Sequence, residues 1–396
     1  MEEQQNFPRP RRRTPFQRNR AAQGRYLSWL LIGCVLLFTV LGLVLPDREY
    51  SPNENRGLAQ FPEFSLSAMA DGSFLKGLGS YVADQFPLRD MWMSLNLGLN
   101  RLLGQEEASG VYLCQDDYLM QIPSQPNEVQ LQRNLQAISA FAASHPDVKM
   151  VISVAPNAVT VHADKLPANA PVRDQAADLK TISAGLSGVT FVDVTSALVS
   201  NNDQALFYRT DHHWTSLGAY HAFTELAPQL GLEAPDLSAY DVYTVSNTFE
   251  GTLSSKSGSH GTADTVQIFV PQTEIEYYVT YNQDSATDIC SMYKREALDQ
   301  KDHYTVFFGG NYSRVDITTT ADTGRSLLIF KDSYANCFVQ FLYPYFDHIT
   351  MIDPRYYYDN VENVRRSEAI TDVLYLYNLD TFLGDTSLAD TLATGN

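Results

Sequence analysis

Ser326-Leu327-Leu328-Ile329-Phe330-Lys331-Asp332-Ser333-Tyr334-Ala335-Asn336 passes from an apolar block through a polar turn into a segment that fits a helix over Ser333 to Leu342. Ser326 to Phe330 has the length of a buried strand, which places Ser333 at a strand-to-helix junction. The alternation recurs outward from it. Val148 to Val154 is a β-branched run closed by Ala155-Pro156-Asn157, Val189 to Val194 repeats the pattern, and His348 to Ile352 and Val373 to Tyr377 read as further strands. Gln125 to Ser144 carries helical apolar spacing at Val129, Leu131, Leu135, Ile138 and Phe141. Strands alternating with helices predict an α/β domain with a parallel sheet.

Val111 to Met120 reads as a hairpin with Gln115-Asp116-Asp117 at its turn. The polar segment 237–304, with β-like runs at Val266 to Val270 and Ile275 to Tyr281, is expected as an insertion beside the sheet, covering the site. The α/β domain would then span 111–396.

Leu27 to Leu45 (LSWLLIGCVLLFTVLGLVL) is 19 residues without a charge. At about 1.5 Å per residue it crosses a hydrocarbon core of about 30 Å. Arg9, Arg11, Arg12, Arg13, Arg18, Arg20 and Arg25 precede it, and the positive-inside bias puts that end in the cytoplasm. A disordered basic tail over 1–26, one transmembrane helix over 27–45 and an extracytoplasmic stalk over 46–110 are expected, giving a single-pass cell-membrane protein. A cleaved signal peptide has a shorter apolar region ending in small residues. Leu31-Ile32-Gly33-Cys34 resembles a lipoprotein box, but the apolar run continues well past Cys34.

The first 25 residues hold seven arginines and two glutamates, so the rest of a chain with 28 Lys+Arg and 46 Asp+Glu carries about -23. Such a surface repels nucleic acid and anionic lipid. Cys114, Cys290 and Cys337 allow at most one internal bridge, which excludes a disulfide-stapled scaffold. The 23 Tyr and 20 Phe suit sugar-stacking surfaces and apolar cores equally.

Tyr208-Arg209-Thr210-Asp211-His212-His213-Trp214-Thr215 concentrates a carboxylate, two imidazoles and an indole, with Thr215 positioned to cap a following helix. In an extended loop Asp211 and His213 face the same way while His212 points elsewhere. A carboxylate beside an imidazole fixes its tautomer and supports general-base catalysis on a hydroxyl. Ser333 is the candidate hydroxyl, exposed at the sheet edge beside a helix N-terminus. Against this stand a plain N-cap role for Ser333, a plain loop hydrogen bond for Asp211 and His213, and a metal site built from Asp211 and His213 with His212, His221 or His162, although no third ligand lies at a recognisable spacing.

Asp211-His212-His213-Trp214 together with Lys331-Asp332-Ser333-Tyr334-Ala335-Asn336 resembles the DHHW protein family, related to the AlgX/AlgJ alginate O-acetylation proteins. The resemblance extends to Glu54-Asn55-Arg56, Asp84-Gln85-Phe86-Pro87-Leu88-Arg89, Phe249-Glu250-Gly251-Thr252 and Gly309-Gly310-Asn311. It implies an SGNH-hydrolase-like three-layer α/β/α domain with a circularly permuted motif order, because the Asp-x-His-Trp segment precedes the serine. It also implies Ser333 as nucleophile, His213 as general base and Asp211 as its orienting carboxylate, without a cofactor or metal. Lys331 departs from the glycine of the usual Gly-Asp-Ser block, which touches the oxyanion analogy.

Oxyanion donors are sought in the backbone of Ser333 or Tyr334 and in the Asn311 side chain, which could equally be a turn residue. Arg355, in Asp353-Pro354-Arg355-Tyr356-Tyr357, is a candidate for an anionic sugar or a plain salt bridge, and Trp214 is a candidate substrate contact. The expectation is an extracytoplasmic serine acyltransferase or esterase that acetylates or deacetylates a cell-surface polysaccharide, fed by a membrane-bound O-acyltransferase. A non-catalytic module that binds glycan or assembles envelope machinery is the alternative.

Overall fold

The computed structural model describes residues 15–51, 56–282 and 291–393. The tail up to Thr14, Glu54-Asn55 and Cys290 therefore lie outside the described residues. Two compact units are present, one ending at Leu95 and one beginning at Asn96, so the boundary falls within the segment expected as stalk.

In the first unit, helix α1 (Pro15–Val44) contains the apolar run Gln23–Val44, which is long and apolar enough to cross a membrane. Its start at Pro15 makes residues 15–26 helical rather than disordered, as the good helix formers Gln17, Arg18, Arg20, Ala21 and Ala22 favour. Helix α2 (Ser73–Asp84) follows, and helix α3 (Arg89–Leu102) begins in this unit and runs past its end at Leu95.

In the second unit, seven strands form one sheet among the described residues. They are β1 (Lys149–Ala155), β2 (Thr190–Val192), β3 (Tyr277–Tyr281), β4 (Arg314–Thr319), β5 (Ser326–Lys331), β6 (His348–Ile352) and β7 (Asp372–Asn378), in the spatial order β3-β4-β6-β5-β7-β1-β2. The five strands from β6 to β2 are mutually parallel, while β3 and β4 pair antiparallel at one edge, which makes the sheet mixed.

Alternation along the central strands builds two cores. Leu327 and Ile329 of β5 share one apolar cluster with Ala219, Phe223 and Leu226 of helix α5 (Ser216–Leu230). Leu328 and Phe330 share the other with Leu131, Leu135, Ile138 and Phe141 of helix α4 (Glu128–Ser144). The result is an α/β/α sandwich around β5, in which every central strand is buried on both faces.

The segment 237–304 differs from the expected insertion in one respect. Tyr240–Phe249 and Asp264–Pro271 pair in their own two-stranded sheet, but β3 joins the main sheet as its edge. The expected helix from Ser333 to Leu342 is shorter than predicted: helix α6 covers Tyr334–Phe338 and gives way to a 3-10 turn at Val339–Phe341. Cys114 and Cys337 are both free thiols.

Candidate functional site

The segment carrying Asp211, His212 and His213 is a bent loop, not an extended one, and an isolated bridge between Phe207 and Trp214 closes it. The bend follows from Asp211 itself, whose Oδ1 accepts the backbone N–H of His213 at 3.0 Å, a turn that Asp side chains favour. Thr215 then caps α5, its hydroxyl accepting the Gly218 N–H at 3.2 Å. Because the loop bends, His212 does not point away. Its ring centroid lies 3.9 Å from that of His213.

His213 Nδ1 lies 2.5 Å from Asp211 Oδ1, and His213 Nε2 lies 2.7 Å from Ser333 Oγ. An ionised Asp211 can only accept, so Nδ1 carries the proton and Nε2 is left to receive one from the serine hydroxyl. Ser333 sits at the N-cap position of α6 without a capping hydrogen bond from its side chain. Its Oγ turns to His213 instead, and Asp332 Oδ1 accepts the Tyr334 N–H at 2.9 Å in its place. Ser333 remains partly exposed while His213 and Asp211 are buried.

Asp211 Oδ2 accepts both the N–H and the hydroxyl of Thr252, at 2.7 and 2.8 Å. Burial opposes ionisation of this carboxyl. The imidazoles of His212 and His213 and the hydrogen bonds from His213 and Thr252 outweigh it and hold the pKa well below the usual carboxylate range. A Cβ at position 251 would collide with the Asp211 side chain, so Gly251 lets the chain pass close enough for Thr252 to reach it.

Tyr304 holds the pair from another side. Its ring stacks on His213 with centroids 3.8 Å apart at 10°, and its hydroxyl donates to the Ser333 carbonyl at 2.8 Å. Next to it, Asp302 is pushed up to about 6, by burial first and then by the negative charge of Asp211.

The remaining candidates divide. Asn311 is exposed, and its Oδ1 accepts from Lys331 Nζ at 3.1 Å and from Asn336 Nδ2 at 3.3 Å. Among the described residues its Nδ2 has no acceptor, so both of its N–H donors face outward. Lys331 is buried, also donates to Asn336 Oδ1 at 2.7 Å, and is pulled down to about 8 by burial.

Tyr334 is engaged at both ends, its N–H by Asp332 and its hydroxyl by the His212 carbonyl at 2.5 Å, which removes it as an oxyanion donor. Trp214 is fully buried, donates its indole N–H to the Tyr334 carbonyl at 3.0 Å and packs on Phe338. It ties the histidine loop to the serine helix and cannot meet a substrate. Arg355 is about one-third exposed and forms a two-pronged pair with the fully buried Asp353, at 2.8 and 2.6 Å.

Asp211, His212 and His213 gather ligand-type atoms within 4.8 Å of one another. Both ring nitrogens of His213 are nevertheless engaged, and the other histidines proposed as ligands lie elsewhere. His221 bonds Gln204, and His162 is buried against Tyr118 and Phe207.

The sequence alone assigns no role to Thr252, Tyr304 or Lys331. Phe249-Glu250-Gly251-Thr252 belongs to the motifs that carry the resemblance, and Lys331 stands out only as a departure from glycine. Tyr304, one of 23 tyrosines, had no local signal.

Residues 115–318 match the family described as SGNH hydrolase-like domain, acetyltransferase AlgX. That span holds Asp211 and His213 and ends before Ser333. The chain is 26% identical over 190 residues to a probable alginate O-acetylase AlgJ of Pseudomonas syringae pv. tomato, covering 45% of this chain and 49% of the relative. The chain thus spans about half the length of that relative. A DHHW family protein from Eubacterium siraeum superposes with a TM-score of 0.64 at 24% identity, over 73% of this chain and 96% of that one. Bacillus cereus PatB1, solved with a sulfonyl adduct, gives 0.58 at 19% identity, over 72% and 100%. Both likenesses concern the fold.

Proposed function

The chain belongs to the SGNH hydrolase-like domain, acetyltransferase AlgX family, and on that footing we propose that it is a membrane-anchored serine O-acetyltransferase acting on hydroxyls of a cell-surface polysaccharide. The observation that carries this reading is the continuous line from Asp211 through His213 to Ser333, at 2.5 and 2.7 Å.

In the first half-reaction Ser333 Oγ attacks the acetyl carbonyl carbon while His213 Nε2 takes the hydroxyl proton. The developing oxyanion is held by the Asn311 Nδ2 and the Ser333 N–H. Collapse breaks the bond to the leaving oxygen, which receives the proton from His213 and leaves an acetyl ester on Ser333. In the second half a sugar hydroxyl gives its proton to His213 and attacks that ester. Ser333 departs and is reprotonated. Water in place of the sugar would give acetate and make the protein an esterase.

The relative named as a probable alginate O-acetylase supports a polysaccharide acceptor. The apolar helix supports a tether, and the arginine-rich tail supports a cytoplasmic N-terminus with the domain outside. A tethered serine would stand where an acetyl group delivered by a membrane-bound O-acyltransferase emerges.

The test is the full chain in detergent with an aryl acetate and a panel of neutral and uronate oligosaccharides. Acetyl esters on an oligosaccharide, absent with Ser333→Ala, are the expected result. Acetate alone, with every sugar unmodified, would replace transfer by hydrolysis. Equal behaviour of the Ser333→Ala variant would end the serine reading altogether.

A further inference from the structure

The motif Asp84-Gln85-Phe86-Pro87-Leu88-Arg89 takes no part in the chemistry above. It forms the turn between α2 and α3, and its contacts with α1 set its level. Just beyond the end of α1, Tyr81 donates its hydroxyl to Asp47 at 2.9 Å, Arg48 pairs with Asp90 at 3.0 Å, and Gln85 Nε2 donates to the Arg48 carbonyl at 2.9 Å. These polar ties mark one plane. On the α1 side of that plane the contacts are aromatic: Phe86 stacks on Phe38 at 5.3 Å and Trp92 meets Phe38 edge-on at 5.9 Å.

Phe38 lies six residues before the end of α1 at Val44, or about 9 Å down the helix at about 1.5 Å per residue. The turn therefore reaches about 9 Å below the level where α1 leaves its apolar run. Two of its apolar residues face outward, Phe86 at 39% and Leu88 at 58% exposed, while Asp84 and Pro87 are buried. Leu88 has a φ of 58°, a region that bulky apolar residues rarely occupy, and its side chain is exposed. Met91, Leu95, Leu99 and Leu102 continue the exposed apolar face along α3 at helical spacing. In water such a surface is costly. In the interfacial layer of a bilayer it is what an in-plane helix presents.

We propose that the α2–α3 turn is a wedge inserted into the membrane leaflet on the side of the folded domain. Its occupant is phospholipid acyl chain, seated in the groove of about 590 Å³ lined by Val35, Phe38 and Leu43 of α1 and by Val82, Phe86 and Pro87. The ion pair of Arg48 with Asp90 lies at headgroup level, and Trp92 sits where membrane proteins concentrate indoles. The protein then grips the bilayer at two places, α1 and the α2–α3 turn. The inference rests on α1 being a membrane helix.

Tryptophan fluorescence tests it on the full chain in nanodiscs of phosphatidylcholine, with and without brominated acyl chains. The chain has three tryptophans, and the fully buried Trp214 supplies a constant background. Trp29→Phe leaves Trp92 as the reporter of the wedge, and Trp92→Phe leaves Trp29 as the reporter of α1. Brominated lipid should cut the emission of both variants by up to about half, with Trp92 quenched most by bromines near the headgroup end of the chain. Quenching of Trp29 without Trp92 overturns the wedge and leaves the anchor standing. Quenching of neither removes the membrane helix and the wedge together.

Discussion

Tyr304 lies face to face with His213, with ring centroids 3.8 Å apart, while its hydroxyl donates to the carbonyl of Ser333 at 2.8 Å. One side chain thus touches both members of the proton-transfer pair and sets their separation. The stack and the hydroxyl can be parted by mutation. Tyr304→Phe should keep the ring against His213 and leave kcat for an aryl acetate within a few fold. Tyr304→Ala should lower it on the order of 10²-fold, the scale of a misplacement of about 1 Å. Steady-state kinetics beside thermal melts checks this, and equal losses in the two variants would remove the stack from the account.

Lys331 and Asn311 should behave as one unit, because the ammonium and Asn336 tie down the amide oxygen and leave the amide N–H groups facing outward. Asn311→Ala and Lys331→Met should each lower kcat by about 10²–10³, the loss typical of one oxyanion donor. The double variant should be little worse than either single one, and simple additivity would show that Lys331 acts by some other route.

Lys331 also has a stability signature. Its folded pKa, near 8, lies below the ordinary 10.5, so between these values the unfolded chain binds the extra proton. Stability contributed at this site therefore rises as pH climbs from about 8 to about 10.5. Denaturant titrations across that window should show a steeper rise for the wild type than for Lys331→Met, and parallel curves would contradict the assignment.

Asp211 has the opposite concern, at acid pH. Its folded pKa is depressed, so its contribution to stability is complete above the ordinary carboxylate value of 3.8 and is lost as pH falls below it. Asp211→Asn should flatten this acid limb and lower kcat by about 10⁴ through the wrong histidine tautomer. Thr252→Val, which deletes one of the two Thr252 donors to Oδ2, should weaken stability by about 1–3 kcal/mol with a smaller kinetic loss. Melting curves between pH 3 and 7 and pH–rate profiles measure both effects.

Trp214→Phe should leave KM unchanged and lower stability by about 1–3 kcal/mol, since it removes the indole donor to the buried Tyr334 carbonyl. A rise in KM without loss of stability would return Trp214 to the substrate.

What could be read from the sequence, and what could not, follows from burial. The parallel strands β1, β5, β6 and β7 are buried on both faces and stand out as continuous apolar runs. Strand β4, Arg314–Thr319, has no apolar run to mark it, because it puts Arg314 and Asp316 into buried positions, where they pair with each other at 2.7 Å. Strand β3 is legible as β-like, but a short run does not reveal its partner, and its pairing with β4 at the edge of the main sheet is visible only in the structure.

The site divides the same way. Asp211, His213 and Ser333 were visible through unusual residue types at a loop and a strand end. Tyr304 and Thr252 act through contacts distant in sequence, which no local pattern encodes. The bend that brings His212 beside His213 comes from one side-chain hydrogen bond, and that bond overrode the alternation of an extended loop. Their place in the motifs makes Trp214 read as a substrate contact and Tyr334 as an oxyanion donor. In the structure they fasten the two motifs together.

The most direct measurement is the mass of the acetylated protein. The full chain, mixed with an aryl acetate and quenched in acid, should carry a single acetyl group on the peptide containing Ser333. The Ser333→Ala variant should carry none there and release acetate no faster than buffer. Wild-type rates of acetate release from Ser333→Ala, or acetyl found only elsewhere in the chain, would contradict the account.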